Sequence, residues 1–169
     1  MVSFAALICP LHTLTGAEIG MIAEVLGSDA MRFGDVRVVE GGIFDLIFKM
    51  NGNLAFATWR SINLPRTGCH TRQNLPIVVH ELTHVYQYER VGTRYLGEAI
   101  YMLIKTKRDC YNYGGQSGLS GAGQSGKCYR DFNREQQAKI TQDYYDLRTQ
   151  GKDVTAYEPF IAQVRAGDI

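Results

Sequence analysis

Two histidines and a glutamate are spaced for metal chemistry in the middle of the chain. The segment is His80-Glu81-Leu82-Thr83-His84, so the two histidines lie four positions apart. An α-helix turns about 100° per residue, which places side chains four apart above one another on the same face. Two neutral imidazoles in this arrangement are good zinc ligands, and Glu81 lies close to the open position of such a metal. The segment therefore predicts a zinc site in which Glu81 acts as general base on a water molecule.

The alternative interpretation is an exposed helix on which Glu81 forms an ordinary ion pair. A solvated helix normally carries charges around such residues, whereas the surroundings of this motif are apolar. They consist of Ile77, Val78, Val79, Leu82 and Val85. Buried histidines and a buried carboxylate need partners, because an unpaired buried polar group costs about 1–3 kcal/mol. A metal ion would supply that partner, and this favours the zinc interpretation.

A third ligand must come from outside the motif. A catalytic zinc ion usually has three protein ligands and one water molecule. The metzincin class would require Gly at position 87 and His at position 90, where this chain has Gln87 and Arg90. Of the other histidines, His12 is remote, and nothing specific supports a ligand role for His70. A carboxylate on a later helix is the better prediction.

Three acidic residues downstream are candidates for that carboxylate: Glu98, Glu135 and Asp143. Glu98 belongs to the apolar segment directly after the motif. Glu135 begins a helical pattern far enough along the chain for a second helix to pack across the first. Its polar neighbours and the small Ala138 are typical of a helix that passes close to a metal. The alternative for Glu135 is a carboxylate that stabilises the N-terminus of its own helix.

The helices that must position these residues can be predicted from local signals. The active-site helix should run from about Leu75 to Arg90, with Asn74 as N-cap and Gly92 ending it. Residues 111–128 are rich in Gly, Ser and Gln without periodicity, which predicts a long loop. Helical patterns predict three further helices, over residues 95–104, 132–147 and 157–164.

The first part of the chain predicts one helix and a small sheet. Thr15 and Glu18 have the capping-box pattern at the start of a helix that Gly27 ends. The β-branched residues 36–39 predict a strand. Residues 1–13 predict an N-terminal strand or tail.

A hairpin is predicted further along. The Asn-Gly-Asn turn at 51–53 should reverse the apolar run 43–50, so that residues 54–59 return as a strand. Residues 61–72 have loop character. Because the strands come first and most helices follow, the sequence predicts one α+β domain over residues 1–169, with a partly antiparallel sheet.

The composition excludes several classes of function. The chain has 169 residues, 45% of them hydrophobic, and a formal net charge of +1. That balance gives no electrostatic reason to expect nucleic acid or an anionic membrane as partner. The four cysteines are too few for a disulfide scaffold. Cys110 and Cys128 bracket the Gly-rich stretch, and either a disulfide or two thiols fits that spacing.

Two strings carry a resemblance to a known family. The string from Val79 to Gln87, VHELTHVYQ, resembles the active helix of HExxH proteins associated with Rhs and Vgr elements of bacterial type VI secretion. The string from Phe132 to Tyr145, FNREQQAKITQDYY, is similar to the second signature of that family. Residues 14–18 and 34–37 also fit, so the resemblance extends over roughly residues 14–151.

The resemblance implies a zincin-like metallopeptidase or amidase. It implies His80, His84 and Glu135 as zinc ligands and Glu81 as general base. It also implies a secretion-associated bacterial effector or toxin, exported without a conventional signal peptide, with a protein or a peptidoglycan peptide as substrate. An immunity protein or the secretion apparatus would be its partner. The alternative is an inactive zinc-containing scaffold module of that apparatus.

One position departs from the pattern of related zinc enzymes. Gluzincins commonly have an acidic residue four positions after the glutamate ligand, where this chain has Lys139. Asp143 is the nearest substitute, and it could orient a histidine ligand.

A few other residues receive predictions. Tyr129, Tyr144 or Tyr145 could donate to a developing oxyanion, although packed tyrosines are the favoured interpretation. Gln87 could bond a ligand, a substrate or only structural groups. Trp59 is predicted as a core anchor, and the basic residues Arg66, Arg72 and 105–108 as solvated charges.

Overall fold

The computed structural model describes residues 11–92 and 110–169. Its strands are β1 (Leu11–Thr13), β2 (Arg37–Glu40), β3 (Phe56–Thr58) and β4 (Ser61–Leu64). Its helices are α1 (Gly16–Leu26), α2 (Asp45–Met50), α3 (Leu75–Val91), α4 (Gly115–Gln124), α5 (Arg134–Thr149) and α6 (Glu158–Ala166). The predicted α+β class is confirmed.

The four strands form one mixed sheet in the order β1-β2-β4-β3. The outer pairs, β1 with β2 and β3 with β4, are antiparallel, whereas β2 and β4 run parallel. The partly antiparallel sheet predicted from sequence is therefore confirmed. Val38 and Ile62 face each other across the parallel pair and are fully buried. The centre of the sheet thus belongs to the hydrophobic core.

Helix α1 forms as its sequence predicts. The Thr15 backbone N–H donates to Glu18 Oε2 at 2.7 Å, and the Glu18 N–H donates back to Thr15 Oγ1 at 3.2 Å. This is the reciprocal capping box. Gly27 ends the helix with φ 102°, a conformation that other residues rarely adopt.

Glu18 has a second partner that the sequence did not indicate. Arg72 Nε lies 2.7 Å from Glu18 Oε1, and Arg72 Nη2 lies 2.8 Å from Oε2. Arg72 also approaches Glu40 at 3.5 Å. The prediction that Arg72 is a solvated charge is therefore wrong, because it joins α1, β2 and the segment before α3.

The predicted hairpin around residues 51–53 is wrong. Residues 42–50 form a 3₁₀ turn and helix α2 instead of a strand. Helical spacing lets Phe44 and Phe48 both pack on Phe56, with ring centroids 5.5 and 5.6 Å apart. The strand β3 pairs instead with β4, which lies inside the segment predicted as a loop.

The Gly-rich segment is helical in part, so the prediction of a loop over residues 111–128 is also wrong. Helix α4 occupies Gly115–Gln124, and its Leu119 is fully buried. Gly118 allows the close approach of the preceding chain, since a Cβ there would clash with the Tyr113 carbonyl oxygen. Gly118 thus allows the preceding chain to lie against α4, and Leu119 anchors the helix in the core.

Helices α3 and α5 form the most extensive helix pair in the described residues. The bounds of α3 confirm the prediction, and Gly92 ends it with φ 64°. Asn74 precedes α3 but does not cap it with its side chain, which donates to the Cys69 carbonyl at 2.6 Å. Asn74 is thus the N-cap residue by position, as predicted, but its side chain makes no capping hydrogen bond.

Some predictions fall outside the described residues. They concern residues 1–10 of the predicted N-terminal strand or tail, the helix over 95–104 with the candidate ligand Glu98, and the basic segment 105–108. Cys128 has a free thiol, so no disulfide joins it to Cys110. In the two described stretches, no helix is long and apolar enough to span a bilayer.

Candidate metal centre

Side chains from α3 and α5 converge on one point. The Nε2 atoms of His80 and His84 are 3.1 Å apart. Glu135 Oε2 lies 3.4 Å from the His80 Nε2 atom and 3.3 Å from the His84 Nε2 atom. Within residues 11–92 and 110–169, these three residues are the group of histidines and acidic residues arranged to hold a metal ion.

The sequence produces this convergence through two helices. The spacing of four on α3 stacks the two histidines, and Glu135 lies in the first turn of α5. The helices cross closely where Thr83 Oγ1 meets Thr141 Oγ1 at 2.8 Å. Ala138, fully buried beside this crossing, has no bulk to hold the helices apart.

The separations fit a small tetrahedral cation. Zinc bonds of about 2.0–2.1 Å at tetrahedral angles place ligand atoms about 3.3–3.4 Å apart. The three measured separations, 3.1, 3.3 and 3.4 Å, are close to those edges. Two imidazoles and one carboxylate are also a donor set found in catalytic zinc sites. The residues present therefore fit zinc, although the same donors suit other first-row divalent metals.

The outer nitrogens of both histidines face amide oxygens. His84 Nδ1 lies 2.9 Å from Gln87 Oε1, and His80 Nδ1 lies 3.1 Å from Gln142 Oε1. An amide oxygen only accepts, so each Nδ1 carries the proton of its ring. In the neutral rings both Nε2 lone pairs then point at each other and at the Glu135 carboxylate. Such a cluster of acceptors requires a cation or a proton at its centre.

The electrostatics of the cluster agree with this requirement. Burial lowers the pKa of His84, but the Glu135 carboxylate outweighs it and raises the pKa to about 9. Burial likewise opposes ionisation of Glu135, yet His84 and His80 hold its pKa well below the usual range. Burial lowers the pKa of His80. Without a metal, one proton on His84 balances the carboxylate, and a metal cation would displace that proton.

Glu81 lies beside the cluster, and one of its carboxyl oxygens is buried and unpaired within the described residues. It is 5% exposed, and its Oε2 atom has no hydrogen-bond partner among the described residues. Burial raises its pKa to about 7, Glu135 adds to the shift, and His84 opposes it. An unpaired buried carboxyl oxygen destabilises the fold by about 1–3 kcal/mol. Because Glu81 therefore does not serve stability, its burial indicates a functional role.

The other candidate ligands lie elsewhere or outside the described residues. Asp143 accepts from Tyr113 Oη at 2.7 Å and from Lys139 Nζ at 2.6 Å. Asp143 therefore does not orient a histidine ligand. The residue that contacts the outer nitrogen of His80 is Gln142. His12 is exposed on β1, and His70 is half-buried outside the cluster.

Two of the tyrosines considered as oxyanion donors are structural. Tyr144 Oη donates to Glu158 at 3.0 Å, and Tyr129 Oη donates to the Gln137 carbonyl at 2.9 Å. Both side chains are buried, as the favoured interpretation predicts, and Tyr145 packs against the core.

Trp59 is 63% exposed and stacks on Tyr88 at 5.7 Å, so its prediction as a core anchor is wrong.

Tyr111 and Gln142 are the site residues that sequence reasoning missed. The Tyr111 ring lies 5.9 Å from the His80 ring. It belongs to a stretch whose composition predicts a loop, so periodicity gave no signal for it. Gln142 lies two helical turns beyond Glu135, and that spacing could have identified it as a residue facing α3.

The chain matches no family model, no curated protein and no solved structure. The family resemblance of the two sequence strings is therefore neither confirmed nor contradicted. The geometry of the site carries the functional argument.

Proposed function

We propose that this protein is a zinc-dependent hydrolase of the zincin type that cleaves a peptide or amide bond. The observation that carries the proposal is the convergence of His80, His84 and Glu135 beside Glu81, which has one carboxyl oxygen buried and unpaired within the described residues. His80, His84 and Glu135 would hold the zinc ion. Three protein ligands are typical of a catalytic zinc site, in which the fourth position is left for water.

The roles of the side chains follow from their positions. When bound, zinc supplies Lewis-acid polarisation of the substrate carbonyl and acidifies water. Glu81 accepts a proton from the attacking water and delivers it to the leaving amine, as a carboxyl group with a pKa of about 7 is suited to do. Tyr111, whose ring lies 5.9 Å from the His80 ring, would donate to the oxyanion.

The substrate and setting are proposed from the sequence resemblance. They are a protein or a peptidoglycan peptide, cleaved by a secretion-associated effector that an immunity protein would counteract. The rival proposal is an inactive zinc module of the secretion apparatus. The presence of Glu81 favours the enzyme, because a structural zinc site has no use for a general base and usually has four protein ligands.

The experiment is a hydrolysis assay on peptides and peptidoglycan fragments with Glu81→Gln beside the wild type. The variant is expected to retain one zinc ion and to lose about 10²–10⁴-fold in kcat. In the same assay Tyr111→Phe should lower kcat while leaving the zinc affinity unchanged. Glu89→Gln is the matched control, since Glu89 lies on the same helix but pairs with Arg60 at 2.9 Å. Full activity of Glu81→Gln would remove Glu81 from the mechanism.

A further inference from the structure

A chain of two buried glutamines leads from the backbone before α5 to the cluster. Gln87 on α3 and Gln137 on α5 are both fully buried. Gln87 Nε2 lies 2.9 Å from Gln137 Oε1 and 3.1 Å from the Arg134 carbonyl oxygen. Gln87 Oε1 lies 2.9 Å from His84 Nδ1. The hydrogen-bond partners of the Gln137 amide within the described residues are Gln87, Arg134 and two backbone carbonyls, so its link to the cluster runs through Gln87.

The orientation of each amide is fixed by groups that can only accept or only donate. Gln137 Nε2 faces two backbone carbonyl oxygens, those of Tyr129 at 3.2 Å and Phe132 at 3.0 Å. Carbonyls only accept, so the NH₂ end of Gln137 must be on that side. Its Oε1 atom then faces Gln87 and also accepts from Arg134 Nη1 at 3.1 Å.

The second amide is oriented by the first. Gln87 must present its NH₂ to Gln137 Oε1 and to the Arg134 carbonyl, which leaves its own oxygen toward His84. His84 then keeps its proton on Nδ1 and presents the Nε2 lone pair to His80 and Glu135. Reversing either amide would set two donors or two acceptors against each other in a buried place.

We propose that Gln137 is a positioning residue for the metal centre, which acts through Gln87 to fix the Nε2 atom of His84 as the metal-binding atom. This inference rests on the zinc site proposed above. A contact between Gln87 and His84 can be predicted from sequence, because Gln87 lies one turn beyond His84 on the same helix. The role of Gln137 cannot, because Gln137 lies on another helix. Hydrogen-bond partners of this kind typically change metal affinity 10–100-fold when removed.

The test is the zinc dissociation constant, measured by competition with a chromophoric chelator. Gln137→Met and Gln87→Met, which keep the volume of the side chain, should each weaken zinc binding 10–100-fold. The double variant should be about as weak as the single ones, because both remove the same chain of hydrogen bonds. If the losses of zinc affinity in Gln87→Met and Gln137→Met simply add in the double variant, the proposal is overturned.

The control is Gln136→Met on the same helix. The Gln136 amide caps α5 and donates to the Asn112 carbonyl at 2.7 Å, away from His84. This variant should lose stability without losing zinc affinity. If Gln136→Met and Gln137→Met lose the same amount of zinc affinity, Gln137 merely stabilises α5. That result would overturn the proposal.

A second readout needs no variant. In ¹⁵N-resolved NMR spectra of the zinc-loaded wild type, His84 should show a metal-bound Nε2 and a slowly exchanging Nδ1 proton. Zinc bound through Nδ1 would overturn the inference even if Gln137→Met does not fold. A wild type that binds no zinc would overturn both proposals, whereas unchanged affinity in a folded Gln137→Met overturns this one alone.

Discussion

Glu135 and the two histidines stabilise one another's charge states at the crossing of α3 and α5. The carboxylate is ionised because His84 lies 3.3 Å away, and the pKa of His84 is raised because the carboxylate is there. Only a cation can replace the proton they share without leaving a buried charge unpaired. The site therefore has a built-in preference for a positive charge at its centre.

At the residue scale, the first prediction concerns Glu135. Glu135→Ala should weaken zinc binding by at least about 100-fold, because it removes one of three ligands and the only negative charge among them. The measurement is a zinc titration with a competing chelator. Asp143→Asn is the control on the same helix, since its carboxylate bonds Tyr113 and Lys139 instead of the cluster. Unchanged affinity in Glu135→Ala would show that Glu135 is not the third ligand.

The histidine pair could be predicted from sequence because its geometry is local. Positions four apart on a helix determine it, and apolar neighbours indicate burial. Glu135 is different, because its polar neighbours and Ala138 favour it only slightly and Glu98 and Asp143 stay as alternatives. The family resemblance raises Glu135 above them. The place of Tyr111 depends on how the segment before α4 packs on α3, which no local pattern specifies. Helical spacing from Glu135 indicates only that Gln142 faces α3, and its contact with His80 depends on how the two helices cross.

At the element scale, α1 is tied to the rest of the fold through Glu18. Burial raises the pKa of this carboxyl, but hydrogen bonds from Arg72 and Thr15 outweigh it, so the net pKa is lowered. A lowered folded-state pKa means that the contribution to stability is present above the ordinary value of about 4.5 and is lost as the pH falls below it. Glu18 thus makes the fold more sensitive to acid.

The corresponding prediction is that Glu18→Ala lowers the free energy of unfolding by about 2–3 kcal/mol at pH 7. The difference from the wild type should shrink as the pH falls below 4.5, when the wild-type carboxyl becomes protonated. Denaturant unfolding at several pH values measures it. Glu24→Ala is the control, because Glu24 is 62% exposed in its pair with Arg148 and should cost less than about 0.5 kcal/mol. A pH-independent difference would contradict the ion-pair account.

Helix α4 allows a test with glycines alone. Alanine favours a helix over glycine by about 1 kcal/mol, but a Cβ at Gly118 would clash with the Tyr113 carbonyl oxygen. Such overpacking typically costs about 1–3 kcal/mol, so Gly118→Ala should destabilise the protein. Gly121→Ala, where a Cβ meets nothing within 4 Å, should be neutral or stabilising by up to about 1 kcal/mol. Thermal unfolding measures the change in stability of both variants. A stabilised Gly118→Ala would contradict the close approach of the Tyr113 carbonyl oxygen to Gly118.

The elements that sequence predicted well are those with strong local signals. The capping box of α1, the apolar spacing of α3 and the polar helix α5 are examples. The sequence predicts a strand where α2 forms, because a short apolar run fits the period of a strand or of a helix. The contacts of Phe44 and Phe48 with Phe56 favour the helix. Strand β4 was missed because Ser61–Leu64 is short and depends on pairing with β2.

At the scale of the whole molecule, the sheet order follows from contacts between distant segments. Strand β2 pairs in parallel with β4 although α2 and β3 lie between them in the chain. The sequence predicts a mixture of strands and helices but not this order. The site has the same character, because it exists only where α3 and α5 cross.

The proposed function requires a zinc ion to bind at that crossing. The most direct measurement is anomalous diffraction at the zinc edge from crystals of protein purified without added metal. We expect a single peak about 2.0–2.1 Å from the Nε2 atoms of His80 and His84 and from a carboxylate oxygen of Glu135. Crystals that show no peak there even after zinc is added, with the two rings pointing apart, would contradict it.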